Sequence, residues 1–122
     1  MSTQRYDNKE IGEDGPPLKG ITSEHWRDVN GAPAGGITQG VGLLISWQNG
    51  PLGRGLARRG RNGAFVEDVI AAVVDRLEEY QSSDFKSTYN QVAIDHLNKA
   101  LGSLEARTAD REERKVEGTH EK

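Results

Sequence analysis

The clearest hydrophobic periodicity in the chain predicts an amphipathic helix over residues 64–81. Apolar residues recur there at intervals of three and four, and acidic residues fill the positions between them. That spacing is typical of one buried helical face. Asn62 or Gly63 is the expected N-cap, since both residue types are favoured at helix starts. The apolar positions are Val66, Val69, Ile70, Val73, Val74, Leu77 and Tyr80.

A second helix is predicted from about Asn90 to about Lys115. Its apolar stripe has heptad-like spacing and turns polar toward the C-terminal end, and Gly118 is a suitable helix stop. A short polar break, residues 81–89, separates the two helices. Helices joined in this way usually pack antiparallel, so the sequence predicts a helical hairpin. The stripe consists of Ala93, Leu97, Ala100, Leu101, Leu104, Thr108 and Arg111.

A segment rich in β-forming residues and an Asn-Gly turn predict a β-hairpin before the helices. Residues 41–48 form a strand candidate, Asn49-Gly50 is a strong two-residue turn signal, and residues 52–59 are a plausible edge strand. Residues 1–40 are rich in glycine and proline and are expected to be an irregular, partly disordered arm with a short helix near residues 22–29. The predicted fold class is therefore α+β: a small antiparallel sheet and an antiparallel two-helix hairpin in residues 41–122.

Composition adds an expectation about assembly and compartment. Hydrophobic residues make up 34% of the chain and charged residues 29%, so the core should be thin and a homo-oligomer is expected. The absence of cysteine excludes disulfide scaffolds and thiol nucleophiles and fits a reducing cytoplasm. No apolar run is long enough for a membrane helix, and no signal peptide is recognisable, so no membrane partner is expected.

Catalytic chemistry finds no support in the motifs. His25, His96 and His120 do not have the spacing of metal ligands. No nucleophile elbow and no carboxylate pair in an apolar setting are present. We therefore expect a protein that is not an enzyme, with no catalytic residues, no metal and no cofactor.

Arginines carry the strongest candidate chemistry. No acidic residue lies between Leu43 and Val66, whereas Arg54, Arg58, Arg59 and Arg61 all do. A solvated edge strand blunted by charge explains this cluster as well as an anion site does. A net charge of -3 argues against a nucleic-acid polymer as partner.

The second helix has an arginine cluster of its own. Arg107 and Arg111 are four residues apart and share a face. Asp110 is placed to pair with Arg114, but Arg111 has no acidic neighbour three or four residues away. An external anion would satisfy Arg111.

Aromatic residues beside an amide gather at the predicted tip of the helical hairpin. Tyr80 and Asn90 could stack on a base and read its edge, whereas Phe85 and Tyr89 are better explained as packing of the turn. Arg107 comes 17 residues after Asn90, or ~25 Å along a helix. One small nucleotide can therefore reach both ends only if two hairpins pack head to tail.

Several motifs together resemble one known family, the phage anti-defence sponges with a helical hairpin, of the first Thoeris anti-defence type and related to sponges that block CBASS. The resemblance covers about residues 43–122. The motifs are Gln48-Asn49-Gly50-Pro51, Asn62-Gly63, Val66-Glu67-Asp68-Val69-Ile70, Asp75-Arg76-Leu77, Asn90, Leu97, Arg107-Thr108-Ala109-Asp110-Arg111 and Val116-Glu117-Gly118-Thr119.

The resemblance implies a non-enzymatic role in the cytoplasm of an infected bacterium. Such proteins bind and sequester cyclic immune signals, namely glyco-cyclic ADP-ribose and in some members CBASS cyclic oligonucleotides, without cleaving them. The family works as homo-oligomers, commonly hexamers, with pockets between protomers.

The same resemblance implies roles for individual residues. Tyr80 matches an aromatic that stacks on adenine, Asn90 matches the asparagine that opens the second helix, and Arg107 and Arg111 match arginines that grip phosphates. Thr108 lies within that arginine motif. The hairpin arginine of the family corresponds to one of Arg54, Arg58, Arg59 and Arg61, of which Arg58, Arg59 and Arg61 are taken as candidate ligand residues.

Two departures from the family pattern leave the ligand range open. The segment around residues 52–59 is more basic than in the family, and the turn at residues 84–88 is more polar. Two other functions stay open: a structural or regulatory oligomerisation module that binds a protein partner through the hairpin, and a weak nucleic-acid binder, which the acidic balance disfavours.

Overall fold

The structure is a computed structural model that describes the backbone of residues 3–11 and, with their side chains, residues 20–53, 56 and 58–114. The chain divides into two compact units, and the division falls between Ala64 and Phe65. The first unit contains a β-sheet and the loop that follows it, and the second contains two helices. The domain boundary expected at residue 40 instead lies inside the sheet unit.

Four strands form an antiparallel sheet in sequential order: β1 (Thr3–Ile11), β2 (Ile21–Asp28), β3 (Pro33–Gly40) and β4 (Leu43–Trp47). Three of these strands lie in the segment expected to be an irregular arm, so that prediction is wrong for the described residues, as is the short helix near residues 22–29. The turn between β3 and β4 uses Gly42 at φ 75°. Glycine there serves the strand connection, because it tolerates positive φ without steric cost.

Polar hydrogen bonds explain why the sheet was hard to see in the hydrophobic pattern. Ser23 on β2 and Thr38 on β3 face each other in register and are buried. The Ser23 and Thr38 hydroxyl oxygens are 2.8 Å apart, and the Trp47 indole N–H donates to the Thr38 hydroxyl at 2.8 Å. Valine or isoleucine usually occupies such inward-facing positions in a half-buried strand. Because serine and threonine occupy them here, the period-two apolar signal is weak.

The predicted return strand over residues 52–59 is wrong, because the described residues of that segment are not in a strand. β4 pairs instead with β3, which precedes it. On its other side β4 has an isolated parallel bridge between Trp47 and Ala64. Asn49-Gly50 therefore begins a long loop rather than a tight hairpin turn.

Helix α1 (Val66–Gln81) and helix α2 (Thr88–Glu113) agree with the predicted helices to within a few residues. The expected N-cap of α1 at Asn62 or Gly63 is wrong: Phe65 occupies that position, and the Asp68 carboxylate accepts a hydrogen bond from its backbone N–H at 2.8 Å. Helix α2 starts two residues earlier than expected, because the Ser87 hydroxyl caps it by accepting from the Asn90 N–H at 3.1 Å. The predicted stop at Gly118 lies outside the described residues.

The two helices contact each other and form the predicted hairpin. Buried and half-buried positions alternate by three and four along both helices, as in a coiled-coil seam. Val74 on α1 and Ile94 on α2 are the best covered, at 8% and 5% exposed. Ile94 is missing from the stripe read from the sequence, which began one residue away at Ala93. The seam consists of Ile70, Val74, Leu77 and Gln81 on α1, and of Asn90, Ile94, Leu97, Leu101 and Leu104 on α2. Thr108 and Arg111 are half-buried positions farther along α2.

Because the helices differ in length, the C-terminal part of α2 has no part of α1 beside it, and we call this part the free end of α2. Helix α1 has 16 residues and α2 has 26, and both diverge from the same short turn. About ten residues of α2, or ~15 Å, therefore extend past the start of α1. The α+β fold class is confirmed, whereas the homo-oligomer stays a prediction. In the part of the chain that is described, no helix has the length and apolarity that crossing a membrane requires.

Candidate functional site

The hairpin tip is fixed by an amide network centred on Gln81. The Gln81 side chain donates to the Ser87 carbonyl at 3.0 Å and accepts from the Ser87 N–H at 2.9 Å. The Asn90 side-chain amide donates to Gln81 Oε1 at 3.2 Å and to the Phe85 carbonyl at 3.1 Å. Asn90, a predicted ligand residue, therefore also holds the turn together, and sequence reasoning missed Gln81 as its partner.

Tyr80 lies beside this turn and presents an aromatic surface. The residue is 38% exposed, and the Arg76 guanidinium lies 5.0 Å from its ring centroid, which is a cation–π distance. The pKa of Arg76 is raised, mainly by a side-chain hydrogen bond with Tyr80 and next by the charge interaction with the same side chain. Sequence reasoning passed over Arg76, although the spacing of four residues on one helix was the signal available.

The other two aromatics of the tip do not pack the turn as expected. Phe85 is 78% exposed and Tyr89 is 88% exposed, so the packing interpretation is wrong for both. Together with Tyr80 they give the tip three exposed rings. Exposed aromatic rings are typical of surfaces that contact a base or a protein partner.

The free end of α2 carries the second group of predicted site residues. Arg107 is exposed, and Thr108 and Arg111 are half-buried. The Thr108 hydroxyl donates to the Leu104 carbonyl at 3.2 Å. Asp110 and Arg114 form the predicted ion pair, with 3.1 Å between the Arg114 Nε and the carboxylate oxygen.

Arg111 does not support an external anion in the way the sequence suggested. Its neighbours along the helix offered no acidic partner, yet Arg111 is not without an interaction in the structure. The prediction of an unsatisfied Arg111 is therefore wrong. Its assignment as a ligand residue stays a prediction.

Tip and free end are far apart within one hairpin. Asn90 and Arg107 are separated by 17 residues of continuous helix, or ~25 Å. A single copy of the hairpin therefore does not bring Tyr80 and Asn90 together with Arg107 and Arg111. A small ligand that used all four residues would need groups from two copies.

The remaining predicted site residues lie on the loop between β4 and α1. Arg58, Arg59 and Arg61 are all exposed. The Arg59 guanidinium donates to the Pro51 carbonyl at 2.9 Å, and the Arg61 guanidinium donates to the Gly63 carbonyl at 3.2 Å. At least two of the three arginines thus contribute to the conformation of the loop itself.

Among the described residues we find no accessible nucleophile–base pair and no cluster of metal ligands. Ser23 Oγ lies 2.9 Å from His25 Nε2, which resembles a nucleophile and its base. Ser23 is only 1% exposed, however, so an external substrate cannot reach its hydroxyl. Within the described part of the chain, no three His, Asp or Glu side chains cluster as metal ligands.

The chain is a small α+β protein, an antiparallel sheet followed by a helical hairpin with exposed aromatic rings at its tip, and comparison with known proteins places it in a family. Residues 40–109 match the family model described as Acb2/Tad1, hairpin domain. That match covers more than half of the chain, so the protein belongs to this family.

One curated relative is similar over much of the chain. It is Thoeris anti-defense 1 of Bacillus phage SBSphiJ7, which is 46% identical over 78 residues. The aligned segment is 64% of this chain and 52% of that relative. The chain therefore spans about half the length of the curated relative it matches.

Proposed function

We propose that the protein is a phage anti-defence protein that binds cyclic nucleotide immune signals and sequesters them without degrading them. The observation that carries the proposal is the family membership. The similarity to a relative that is named for Thoeris anti-defence supports it further. The proposed ligand is glyco-cyclic ADP-ribose, with CBASS cyclic oligonucleotides as a further group. The place of action is the cytoplasm of the infected bacterium.

The chemistry of the hairpin supports a nucleotide as ligand. Tyr80 offers an aromatic ring at the tip, with the Arg76 guanidinium 5.0 Å from its centroid. Arg107 and Arg111 at the free end of α2 can form charge-assisted hydrogen bonds with phosphate oxygens. Thr108 lies between them in the sequence, and its hydroxyl can accept a hydrogen bond.

The proposed pocket is shared between copies of the chain. The ~25 Å between Asn90 and Arg107 exceeds the reach of one small nucleotide. Two hairpins packed head to tail would bring the tip of one copy to the arginines of the other. Such a pocket requires a homo-oligomer, for which the family resemblance suggests a hexamer.

Capture and release of the ligand tests sequestration directly. The protein is incubated with glyco-cyclic ADP-ribose or a cyclic dinucleotide, freed of unbound ligand, and heated. We expect mass spectrometry to recover the ligand intact, since binding alone leaves its bonds unchanged. A product of hydrolysis whose formation depends on a named side chain would show that the protein is an enzyme.

Thermal shift separates the sponge from a module that only assembles or binds a protein partner. A tightly bound nucleotide raises the melting temperature by mass action. A pure oligomerisation module shows no shift with any cyclic nucleotide. The exposed rings of Phe85 and Tyr89 are the observation that keeps a protein partner as the second candidate.

Mixing two single variants tests whether the pocket is shared. Tyr80→Ala removes base stacking of ~1–3 kcal/mol. Arg107→Ala removes a phosphate contact of ~1.5–3 kcal/mol, about ten- to a hundredfold in affinity. In mixed oligomers one pocket collects both defects and another collects neither, so some tight binding should return. If subunit exchange is verified and tight binding does not return, the head-to-tail pocket is wrong.

A further inference from the structure

The loop between β4 and α1 is closed by two side-chain amides. Asn62 Oδ1 accepts from the Asn49 N–H at 2.7 Å, and the Asn62 amide nitrogen donates to the Asn49 carbonyl at 3.0 Å. Asn62 thus makes with Asn49 the pair of bonds that a neighbouring β-strand residue would make. The two ends of a loop of some 13 residues meet at this point.

Gln48 adds a second closure from the strand side. Gln48 Oε1 accepts from the backbone N–H groups of Asn62 at 2.9 Å and of Gly63 at 3.1 Å. Its amide nitrogen donates to the Gly50 carbonyl at 3.3 Å. We call Gln48 and Asn62 the amide latch, since together they bond both ends of the loop to each other.

The geometry of Gly63 shows that this closure is tight. A Cβ at Gly63 would lie 2.6 Å from the Trp47 carbonyl carbon and 2.7 Å from the Gln48 nitrogen. Real Cβ contacts are not this short, so the position requires glycine. The returning chain is therefore pressed against the end of β4, where Gln48 can reach its backbone.

Within the closed loop, Arg59 acts as a brace. Its guanidinium donates to the Pro51 carbonyl at 2.9 Å, and its backbone N–H donates to the Leu52 carbonyl at 2.6 Å. Gly50 has φ 78° and leaves room for the same guanidinium. The loop is thus closed at its ends by amides and held across its middle by an arginine.

Charge indicates which kind of ligand a loop closed in this way suits. The loop and its flanks contain no acidic residue from Leu43 to Val66, and Arg58 and Arg61 lie exposed on either side of the bracing Arg59. Compact loops with closed ends are frequent functional elements. An arginine held in place loses less conformational entropy when it binds a phosphate.

We propose that Gln48 and Asn62 are positioning residues, whose amide latch holds Arg58 and Arg61 in place to bind the phosphates of a nucleotide. The Arg61 guanidinium keeps its bond to the Gly63 carbonyl and would bind phosphate with its other N–H donors. Arg59 braces the loop from within, through its bonds to Pro51 and Leu52. The inference rests on the proposed function for the identity of the nucleotide. The binding of an anion by the loop does not depend on the proposed function, because arginine side chains can bind any diphosphate.

Gln48→Met tests the latch, because methionine keeps the length of the side chain and removes its hydrogen bonds. Gln91→Met is the matched control. Gln91 is an exposed glutamine on α2, and its side-chain amide donates to the Asp95 carboxylate at 3.0 Å, one turn along the same helix. Trypsin reports loop order without any ligand. We expect faster cleavage after Arg58, Arg59 and Arg61 in Gln48→Met and unchanged cleavage in Gln91→Met.

A double-mutant cycle distinguishes positioning from general stability. Arg58→Ala should weaken binding of glyco-cyclic ADP-ribose about tenfold in the otherwise unchanged protein. In the Gln48→Met background the same change should cost little, because Arg58 is no longer held in place. Additive effects in this cycle would overturn the positioning role, since a merely structural defect leaves the cost of Arg58→Ala unchanged.

Inorganic pyrophosphate separates this inference from the proposed function. If pyrophosphate protects the peptide bonds after Arg58 and Arg61 from trypsin while glyco-cyclic ADP-ribose does not bind, anion binding by the loop is supported and the proposed function is contradicted. If glyco-cyclic ADP-ribose binds equally tightly to Gln48→Met and Gln91→Met, the positioning role of Gln48 is contradicted, whereas the proposed function is supported. Asn62→Ala, with Asn98→Ala as its control, repeats the comparison should Gln48→Met not fold.

Discussion

Gly63 is a position in the sheet unit that has no room for a side chain. A Cβ there would collide with the backbone of Trp47 and Gln48. We expect Gly63→Ala to lower the free energy of unfolding by ~1–3 kcal/mol, because the neighbouring atoms are backbone and cannot rotate away.

Gly102 provides the matched control for that prediction. It lies on α2, and an added Cβ would meet nothing within 4 Å. Gly102→Ala should stabilise the protein by ~0.5–1 kcal/mol through helix propensity. Urea unfolding of both variants measures the contrast, and equal destabilisation by the two alanines would contradict the role given to Gly63.

Thr38 is the residue that joins three strands through one hydroxyl. Its Oγ1 accepts from the Trp47 indole and lies 2.8 Å from the Ser23 hydroxyl. Thr38→Val keeps the shape of the side chain and should cost ~1–3 kcal/mol, because the buried Ser23 hydroxyl and the half-buried Trp47 indole each lose a partner. Thr22→Val, at an exposed site on β2, should have little effect. Thermal unfolding followed by tryptophan fluorescence compares the two variants.

At the scale of single elements, α2 depends on its serine cap. The Ser87 hydroxyl accepts from the Asn90 N–H, and the Ser87 backbone bonds to Gln81. We expect Ser87→Ala to cost ~1 kcal/mol, since one helix N–H loses its acceptor while the backbone bonds remain. Ser103→Ala, at an exposed position inside α2, is the control. A melting temperature that falls equally in both variants would contradict the cap.

The hairpin also shows how an element can be found while its contact face is misplaced. Both helices were recognised from three-and-four spacing, but Val66, Val73 and Tyr80 proved to be 50%, 43% and 38% exposed. A wide apolar stripe fits several packing faces, and only the partner helix selects one. The turn amides of Gln81 and Asn90 fix that choice, and their pairing is not visible in a period.

At the scale of the whole molecule, the exposed apolar surface argues for assembly. Among the described residues, the buried hydrophobic side chains are Ala34, Val74 and Ile94. Large apolar side chains such as Val41 and Leu44 are 107% and 72% exposed. We expect a homo-oligomer at micromolar concentration, because a core this small leaves apolar area that association can bury. Light scattering that gives the monomer mass of 13.4 kDa would contradict this expectation.

The sequence by itself determined the helical hairpin and the family, because helical periodicity and local motifs are written in neighbouring residues. It also indicated the two groups of candidate ligand residues on α1 and α2. The four-stranded sheet was missed, since its cross-strand partners are polar and its signal lies in pairs such as Ser23 and Thr38, which are 15 residues apart. The role of Arg59 as a brace and the latch of Gln48 and Asn62 likewise depend on tertiary structure, because hydrogen bonds between residues distant in sequence leave no period in the chain.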